Sequence, residues 1–294
     1  MPSGWTPKRS LPTRRLLRAR VDQWRTDVGM WRRKRAYRKG APTGSARGAF
    51  VVGCQRSGTD MTLWTLDKSR DVDRYDENHR AAFRDCRIRD RETRERLIAR
   101  SNAKRVIFKP VCDSHNTAKL LDDHDGAKAI WVYRHYRDVA NSAVARWGDM
   151  NLRYVRDLAR GGGDWGRRQW NRELITPERQ AEIEHWCAGD LNAHGAAAVY
   201  WLLVNRTFFD QQLNRHDRVT VARYEDLVTS PEPEFRRICD ALDVEFRGEM
   251  IETIFASSVR KSSQQPIAPG IEDACEALLK QLDQVRARAR AAVS

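Results

Sequence analysis

The stretch VVGCQRSGTD, residues 51–60, decides the fold. The apolar run Ala49–Val52 predicts a buried β-strand that leads into it. Gly53 and Gly58 then bracket a loop of four residues, and the pattern that follows predicts a helix over Thr59 to Leu66. A strand, a glycine loop and a helix in this order direct backbone N–H groups and the positive end of the helix to one point. The sequence therefore predicts an anion site at the end of this strand.

The loop ends differently from the phosphate-binding loops of magnesium-dependent kinases. Those loops close with Lys and then Ser or Thr, whose hydroxyl binds the metal. Here Thr59 and Asp60 stand in those places, and the positive charge, Arg56, lies inside the loop. An arginine there can hold two oxygens of a phosphate or a sulfate. The loop alone is equally compatible with a tight strand–helix turn that binds nothing.

Short apolar runs alternate with helical patterns along the rest of the chain. The further predicted strands are Val72–Tyr75, Arg105–Val111, Ala129–Tyr133 and Val219–Ala222. Strands separated by helices predict an α/β fold with three layers, α/β/α, around a central parallel sheet. Ligands of such sheets bind beyond the carboxyl ends of the strands. The residues that follow each strand are therefore the candidates for chemistry.

Composition narrows the class of protein. The chain has 294 residues, of which 40% are hydrophobic, and this is enough for a sizeable core. No apolar run approaches the roughly 18 residues of a membrane-spanning helix, and the N-terminus shows no apolar signal core. Six scattered cysteines are typical of reduced thiols, although spacing does not exclude one disulfide. No Cys/His metal motif is present. We expect a cytoplasmic enzyme.

The positive charge is concentrated in an N-terminal arm and linker, residues 1–47. This arm holds fourteen Lys and Arg against two Asp, a net of +12 out of +14 for the chain, which leaves +2 for the predicted catalytic domain, residues 48–294. Apolar residues at positions 17, 21, 24, 28 and 31 mark one face of a basic helix. That face can pack on the body, or residues 8–39 can lie on an anionic membrane surface. Residues 148–190 are the least periodic and could form an acceptor-side lid.

A second constellation follows the strand that ends at Tyr133. Arg134 comes directly after it, and Ser142 lies eight residues later, two turns into the next predicted helix. An arginine and a hydroxyl so placed can bind a second phosphate group. Arg137 and Asp138 are expected to cap or buttress that helix.

These two elements resemble the sulfotransferases that use 3′-phosphoadenosine-5′-phosphosulfate (PAPS). CQRSGTD at 54–60 is similar to that family's loop for the 5′-phosphosulfate, and RHYRDVANS at 134–142 to its segment for the 3′-phosphate. RYEDL at 223–227 matches a third motif of the family. The resemblance covers roughly residues 48–260 and implies the sulfotransferase fold, which is similar to that of P-loop nucleotidases.

The resemblance implies a function and a set of binding residues. It implies transfer of a sulfuryl group from PAPS to a hydroxyl or amine, with adenosine 3′,5′-bisphosphate as product and no metal required. The implied donor-binding residues are Arg56, Ser57, Gly58 and Thr59 for the 5′-phosphosulfate, Arg134 and Ser142 for the 3′-phosphate, Tyr224 for the adenine, and Arg260 and Lys261 in a closing basic loop. Arg56 can also stabilise charge on the bridging oxygen as the sulfuryl group leaves.

One departure from the family pattern bears on the expected binding of the donor. Asp60 replaces a Thr or Ser that commonly contacts the 5′-phosphate, and a carboxylate there should repel that group. We expect Asp60 either to turn toward a nearby arginine or to act as an acid of the first helical turn. Gln55 in place of proline, and His135 with Tyr136 in place of Asp-Pro, look tolerable.

The acceptor's proton needs a base, and two stretches compete for that role. Glu77 lies 21 residues after Arg56, the separation of the catalytic glutamate in the tyrosylprotein sulfotransferases, and is preferred. Asp76 matches the paired acid of those enzymes, and Asn78 and His79 are candidates to position the acceptor. Alternatively the base is His115 or Asp113, which follow Lys109-Pro110. This pair is similar to a family segment whose lysine contacts the transferring group.

The acceptor itself is expected to be a small molecule, a sugar or a lipid. The rival enzyme is a P-loop nucleotide-dependent kinase, against which the missing lysine argues. A rival of another class is a membrane- or nucleic-acid-binding protein that acts through its basic arm. No specific nucleic acid is expected as a partner.

Overall fold

The computed structural model describes residues 34, 36–161, 172–255 and 265–291. The chain divides into two compact units, Met1–Ala41 and Pro42–Ser294. Most of the first unit lies outside the described residues, and so does the apolar face expected in the arm. In its described part, Arg38 N donates to the carbonyl of Lys34 at 2.9 Å. The rest of the fold concerns the second unit.

Five parallel strands form the central sheet, in the order β2-β5-β1-β6-β7. Their bounds are Arg47–Gly53 (β1), Val72–Tyr75 (β2), Arg105–Phe108 (β5), Lys128–Tyr133 (β6) and Val219–Arg223 (β7). β1 lies in the middle and pairs with β5 on one side and β6 on the other. All five predicted strands are present, and the predicted parallel sheet is confirmed.

One predicted strand is too long. Arg105–Val111 was expected as a strand, but β5 ends at Phe108 and Val111–Asn116 forms a 3₁₀ helix. Pro110 explains the difference, because it lacks the N–H group that a strand needs to continue its hydrogen-bond ladder. The break places Lys109 at the strand end rather than within the strand.

Helices cover both faces of the sheet. They are α1 (Thr59–Asp67), α2 (Arg91–Arg100), α3 (Thr117–Asp122), α4 (Tyr136–Trp147), α5 (Met150–Ala159), α6 (Pro177–Ala188), α7 (Ala193–Asp210), α8 (Tyr224–Thr229), α9 (Pro231–Ala241) and α10 (Pro269–Ala291). Two buried clusters lie on opposite faces. Phe50 and Val52 of β1 belong to the cluster that contains α7 and α10, and Ala49 and Val51 to the one that contains α9. The α/β/α fold class is confirmed.

A small antiparallel hairpin stands apart from the main sheet. β3 (Phe83–Arg84) pairs with β4 (Arg87–Ile88). Its two-residue turn, Asp85 and Cys86, has φ angles of 50° and 67°, the left-handed pair of a type I′ hairpin. β4 is fixed to the 3₁₀ helix after β5, since Ile88 N donates to Asp113 Oδ2 at 2.8 Å.

The described parts of residues 148–190 are largely helical, as α5 and α6. Tyr154 and Ile183 are both buried in the cluster that includes α7. Residues 162–171 lie outside the described residues, so the lid stays a prediction. All six cysteines are free thiols, as expected. Among the described residues, no helix is long and apolar enough to cross a membrane.

The cluster under α9 makes a prediction about stability. Phe235 is fully buried there, whereas Phe255 is 70% exposed. We expect Phe235→Ala to lower the free energy of unfolding by about 3–5 kcal/mol, because it leaves a cavity in the core. Phe255→Ala, the matched control, should change it by less than about 0.5 kcal/mol. Urea denaturation measures both, and equal losses in the two variants would contradict this account of the core.

Candidate active site

The carboxyl ends of the five parallel strands meet at one edge of the sheet, and each contributes a candidate residue. These residues are Arg56 after β1, Glu77 after β2, Lys109 after β5, Arg134 after β6 and Tyr224 after β7. The topology thus brings together residues that are far apart in the sequence. This edge is where ligands of open α/β sheets bind.

Close packing fixes the loop between β1 and α1. Gly53 has φ 127°, and a Cβ there would lie 2.1 Å from the carbonyl oxygen of Val132. Gly58 has φ 96°, and its Cβ would lie 2.3 Å from the ring of Tyr224. Arg56 also has a positive φ, 69°, which a non-glycine residue rarely adopts. The loop is therefore held in an unusual conformation, the kind found at ligand sites.

The same loop has polar groups that suit an anion. Ser57 is fully buried, and its Oγ has no hydrogen-bond partner in the described part of the chain. Leaving such a hydroxyl unpaired costs about 1–3 kcal/mol. No side chain caps α1 at Gly58, and the N–H groups of a first helical turn have no partner within the helix. Together these donors fit a bound anion with several oxygens.

Arg56 and Ser142 are in direct contact. Arg56 Nε donates to Ser142 Oγ at 3.0 Å, and the guanidinium lies 5.7 Å from the centre of the Trp147 ring. α4 carries both Ser142 and Trp147, so this helix orients the arginine of the loop. Trp147 has no place in the sequence prediction. Its only signal is its position five residues after Ser142 on the same helix.

Arg134 is buried against Tyr224. Its guanidinium lies 4.3 Å from the centre of the Tyr224 ring, and one nitrogen is 3.6 Å from an oxygen of Asp138. Trp201 Nε1 donates to the carbonyl of Arg134 at 2.9 Å and fixes the backbone there. The two predicted contacts to the nucleotide, Arg134 and Tyr224, therefore lie side by side.

The start of α4 differs in detail from the prediction. Asp138 buttresses Arg134, as the expected role allows, but Arg137 reaches away from its own helix and binds Glu272 of α10. The side chain of His135 forms the N-cap, accepting from Arg137 N at 3.3 Å. An imidazole in this position does the capping work that an aspartate commonly does.

Lys109 lies between two carboxylates. It is 2% exposed, its Nζ is 2.7 Å from Glu77 Oε2, and it also donates to Asp60. Burial lowers the pKa of Lys109, but the adjacent Glu77 and Asp60 outweigh it and raise the pKa, so the ammonium stays charged. One buried cation thus lies between two carboxyl side chains.

This arrangement settles the orientation of Asp60. It is an acid of the first turn of α1, as one alternative expected, and its ion-pair partner is Lys109. The expected arginine partner was wrong. A lysine 49 residues away supplies the positive charge, and it arrives at the loop because β5 lies beside β1. The pairing offsets the repulsion that Asp60 would exert on a bound anion.

Glu77 is carried by a loop that Asp76 shapes. Asp76 accepts from Arg74 at 2.9 Å and from the backbone N–H of Asn78 at 2.8 Å. Burial raises the pKa of Asp76, but these bonds and His79 outweigh it and hold the pKa well below its usual range. His79 Nδ1 accepts from the N–H of Asp76 at 3.1 Å, so it folds back on the loop. Asp76 and His79 thus position Glu77.

The competing base candidates are bound to other residues. Asp113 is 3% exposed and accepts from Arg87 Nε at 2.5 Å and from Ile88 N. Burial raises the pKa of Asp113, although the bonds to the hairpin oppose this. His115 Nε2 lies 2.5 Å from Glu173 Oε2. Both side chains therefore fasten the hairpin region together.

No motif in the sequence marks Glu173 as a candidate site residue. It receives Arg87 through both carboxylate oxygens, at 2.9 and 3.2 Å, besides its contact with His115. Burial raises the pKa of Glu173, but the bonds from Arg87 and His115 prevail and lower the pKa to about 2. The lowered pKa favours the charged carboxylate, which pairs with Arg87.

A cavity of about 690 Å³ opens beside Glu77. Its lining residues are Glu77, Asn78, Arg80, Phe83, Arg84, Asp85, Cys86 and Arg89. Most of them belong to the β3–β4 hairpin and the segment before it. Arg260 and Lys261, predicted to close over the nucleotide, lie outside the described residues. Within the described ranges, no cluster of three or more His, Cys, Asp or Glu is suited to a metal ion.

A family model described as "Sulfotransferase domain" matches residues 47–268. Comparison with curated proteins gives no match. Several solved structures of sulfotransferases are similar in outline.

Three of these structures illustrate the similarity. The sulfotransferase domain of the Synechococcus PCC 7002 olefin synthase is 15% identical, with a TM-score of 0.45, over 80% of this chain and 95% of that one. The sulfotransferase domain of the curacin biosynthetic pathway is 14% identical, with a TM-score of 0.45, over 80% and 98%. The mouse sulfotransferase SULT7A1, complexed with PAP, is 15% identical, with a TM-score of 0.38, over 77% and 72%.

The family model spans most of the chain, and it includes all five strand ends that form the site. The chain belongs to the sulfotransferase domain family.

Proposed function

We propose that this protein transfers the sulfuryl group of PAPS to a hydroxyl or amine of its acceptor, with Glu77 as the base. The observation that carries the proposal is the buried Ser57 hydroxyl, which has no partner among the described residues and lies in the loop before the uncapped start of α1. A buried donor of this kind is expected to meet a ligand. Membership of the sulfotransferase family supports PAPS as that ligand.

The residues at the sheet edge fit the parts of the donor. Arg56, Ser57, Gly58 and Thr59 would hold the 5′-phosphosulfate, because their loop and the first turn of α1 offer several N–H and O–H donors. Arg134 and Ser142 would bind the 3′-phosphate, and Tyr224 would contact the adenine. When bound, PAPS supplies an activated sulfuryl group whose leaving group is a phosphate oxygen.

The chain's residues divide the work of transfer. Glu77 takes the proton of the acceptor as the acceptor oxygen forms its bond to sulfur and the bond from sulfur to the phosphate oxygen breaks. Arg56 stabilises the negative charge that this phosphate oxygen gains. The transferred group carries less negative charge than a phosphoryl group. Two protein cations, Arg56 and Lys109, can therefore stabilise the charge that develops during transfer, and we propose that no metal is required.

Lys109 connects the donor side to the acceptor side. Its ammonium lies 2.7 Å from the base and also contacts Asp60 of the donor loop. We place it against the transferring group, where it stabilises charge on the sulfuryl oxygens while it orients Glu77. A charged, buried lysine at this point is preorganised for that role, since no solvent has to rearrange around it.

Location and membrane contact stay proposals. Residues 8–39 lie almost entirely outside the described residues. Both interpretations of the basic helix, packing on the body and contact with an anionic membrane surface, therefore remain open. We propose a cytoplasmic protein that is peripheral to an anionic membrane at most.

The donor site predicts the effect of removing Arg134. Arg134→Ala should weaken binding of adenosine 3′,5′-bisphosphate by about ten- to a hundredfold, because a charged hydrogen bond to a phosphate is worth about 1.5–3 kcal/mol. Arg96→Ala, an exposed arginine of α2, is the matched control and should bind as the wild type does. Calorimetric titration measures both. Equal affinities in the two variants would contradict the assignment of Arg134.

The base assignment predicts a loss of turnover without a loss of donor. Glu77→Gln should lower kcat by about 10²–10⁴-fold, the contribution typical of a general base. Its affinity for adenosine 3′,5′-bisphosphate should stay within threefold of the wild type. Glu92→Gln, on the exposed face of α2, is the control. Wild-type turnover in Glu77→Gln would contradict the assignment of Glu77 as the base.

A further inference from the structure

The cavity beside Glu77 is lined by arginines. Arg80, Arg84 and Arg89 all face it, and Glu77 lies at its border. The only other acid in the lining is Asp85, at the tip of the hairpin, so three arginines face two acids, one of which, Glu77, also pairs with Lys109. The lining therefore carries a net positive charge. Its volume of about 690 Å³ is in the range of sites for small molecules.

These arginines differ from their neighbour Arg87. Arg87 is neutralised by Asp113 and Glu173. Arg80 and Arg84, in contrast, are exposed and make no ion pair with any residue in the described part of the chain. Arg89 donates through Nε to the carbonyl of Arg80 at 3.0 Å, which is a neutral partner. Three guanidinium groups are thus left without a matching acid there.

The β3–β4 hairpin helps to position the arginines that line the cavity. Phe83 is 2% exposed and belongs to the larger buried cluster, which anchors β3, whereas the next residue, Arg84, is exposed. The bonds from Arg87 and Ile88 to Asp113 fasten the other strand to the 3₁₀ helix after β5. Arg84 is therefore part of an anchored hairpin, Arg80 and Arg89 flank that hairpin in the sequence, and all three line the cavity beside the proposed base.

We propose that the acceptor is a small anionic molecule, and that Arg80, Arg84 and Arg89 bind its phosphate, sulfate or carboxylate group. The oxyanion is the chemistry that matches arginine, which can hold two of its oxygens at once. The hydroxyl that receives the sulfuryl group lies on the same molecule and faces Glu77. The inference rests on the proposed function and adds the substrate class to it.

Matched pairs of acceptors test the proposal directly. The full chain is incubated with labelled PAPS and either the neutral or the anionic member of each pair, namely glucose and glucose 6-phosphate, N-acetylglucosamine and its 6-sulfate, and galactose and galacturonate. We expect the anionic members to have the higher kcat/KM. Arg84→Gln and Arg80→Gln should each lower the ratio of anionic to neutral kcat/KM about tenfold or more. Arg96→Gln should keep the wild-type ratio.

A binding measurement decides the matter if none of these acceptors is used. Inorganic pyrophosphate is titrated into the protein after the donor site has been filled with adenosine 3′,5′-bisphosphate. Binding that Arg84→Gln weakens about tenfold or more, and Arg96→Gln does not, supports the anion site. No binding, or equal binding by both variants, overturns it, as does a preference for the neutral acceptors.

Titration with adenosine 3′,5′-bisphosphate distinguishes a failure of the proposed function from a failure of the proposed acceptor class. If the wild type fails to bind adenosine 3′,5′-bisphosphate, the proposed function fails, and the acceptor class falls with it. If the donor product binds but Arg84→Gln behaves as Arg96→Gln does, only the acceptor class is overturned.

Discussion

The buried ammonium of Lys109 is the interaction on which the rest of the site depends. It pairs with Asp60 of the donor loop and with Glu77 of the acceptor side, and it is almost inaccessible to water. Without it, two carboxylates would share one corner of the sheet edge, and their repulsion would favour protonation of one of them. Asp60 would then face the anion site that Ser57 and α1 form. One lysine thus makes the donor loop and the proposed base compatible.

The strands could be predicted because they are buried on both faces. β1 and β6 are nearly continuous apolar runs, which is how a central parallel strand appears in a sequence. The strand–loop–helix element proposed to bind the donor could be predicted for a related reason, since its candidate groups are consecutive residues and many of them belong to the backbone. Both features are local, and local patterns are what a single sequence displays best.

The Lys109 contacts could not be predicted in the same way. Asp60 lies 49 residues before Lys109 in the sequence, and Glu77 lies 32 residues before it. Their meeting depends on the strand order, which places β5 between β2 and β1. The hairpin could not be predicted from the sequence, because β3 and β4 have only two residues each and show no hydrophobic periodicity. Glu173, whose role depends on its contact with that hairpin, could not be predicted either. The donor side is thus built from regular elements, whereas the acceptor side is built from short segments, and in such folds these segments set the substrate.

The central claim is that the sheet edge binds a 3′-phosphorylated nucleotide. Calorimetric titration of the wild type with adenosine 3′,5′-bisphosphate and with adenosine 5′-monophosphate, in the presence of EDTA, tests it most directly. The account predicts that the bisphosphate binds about tenfold or more tightly than the monophosphate, since only the former offers a group to Arg134 and Ser142. Equal affinities, or nucleotide binding that appears only when magnesium and ATP are supplied, would contradict it.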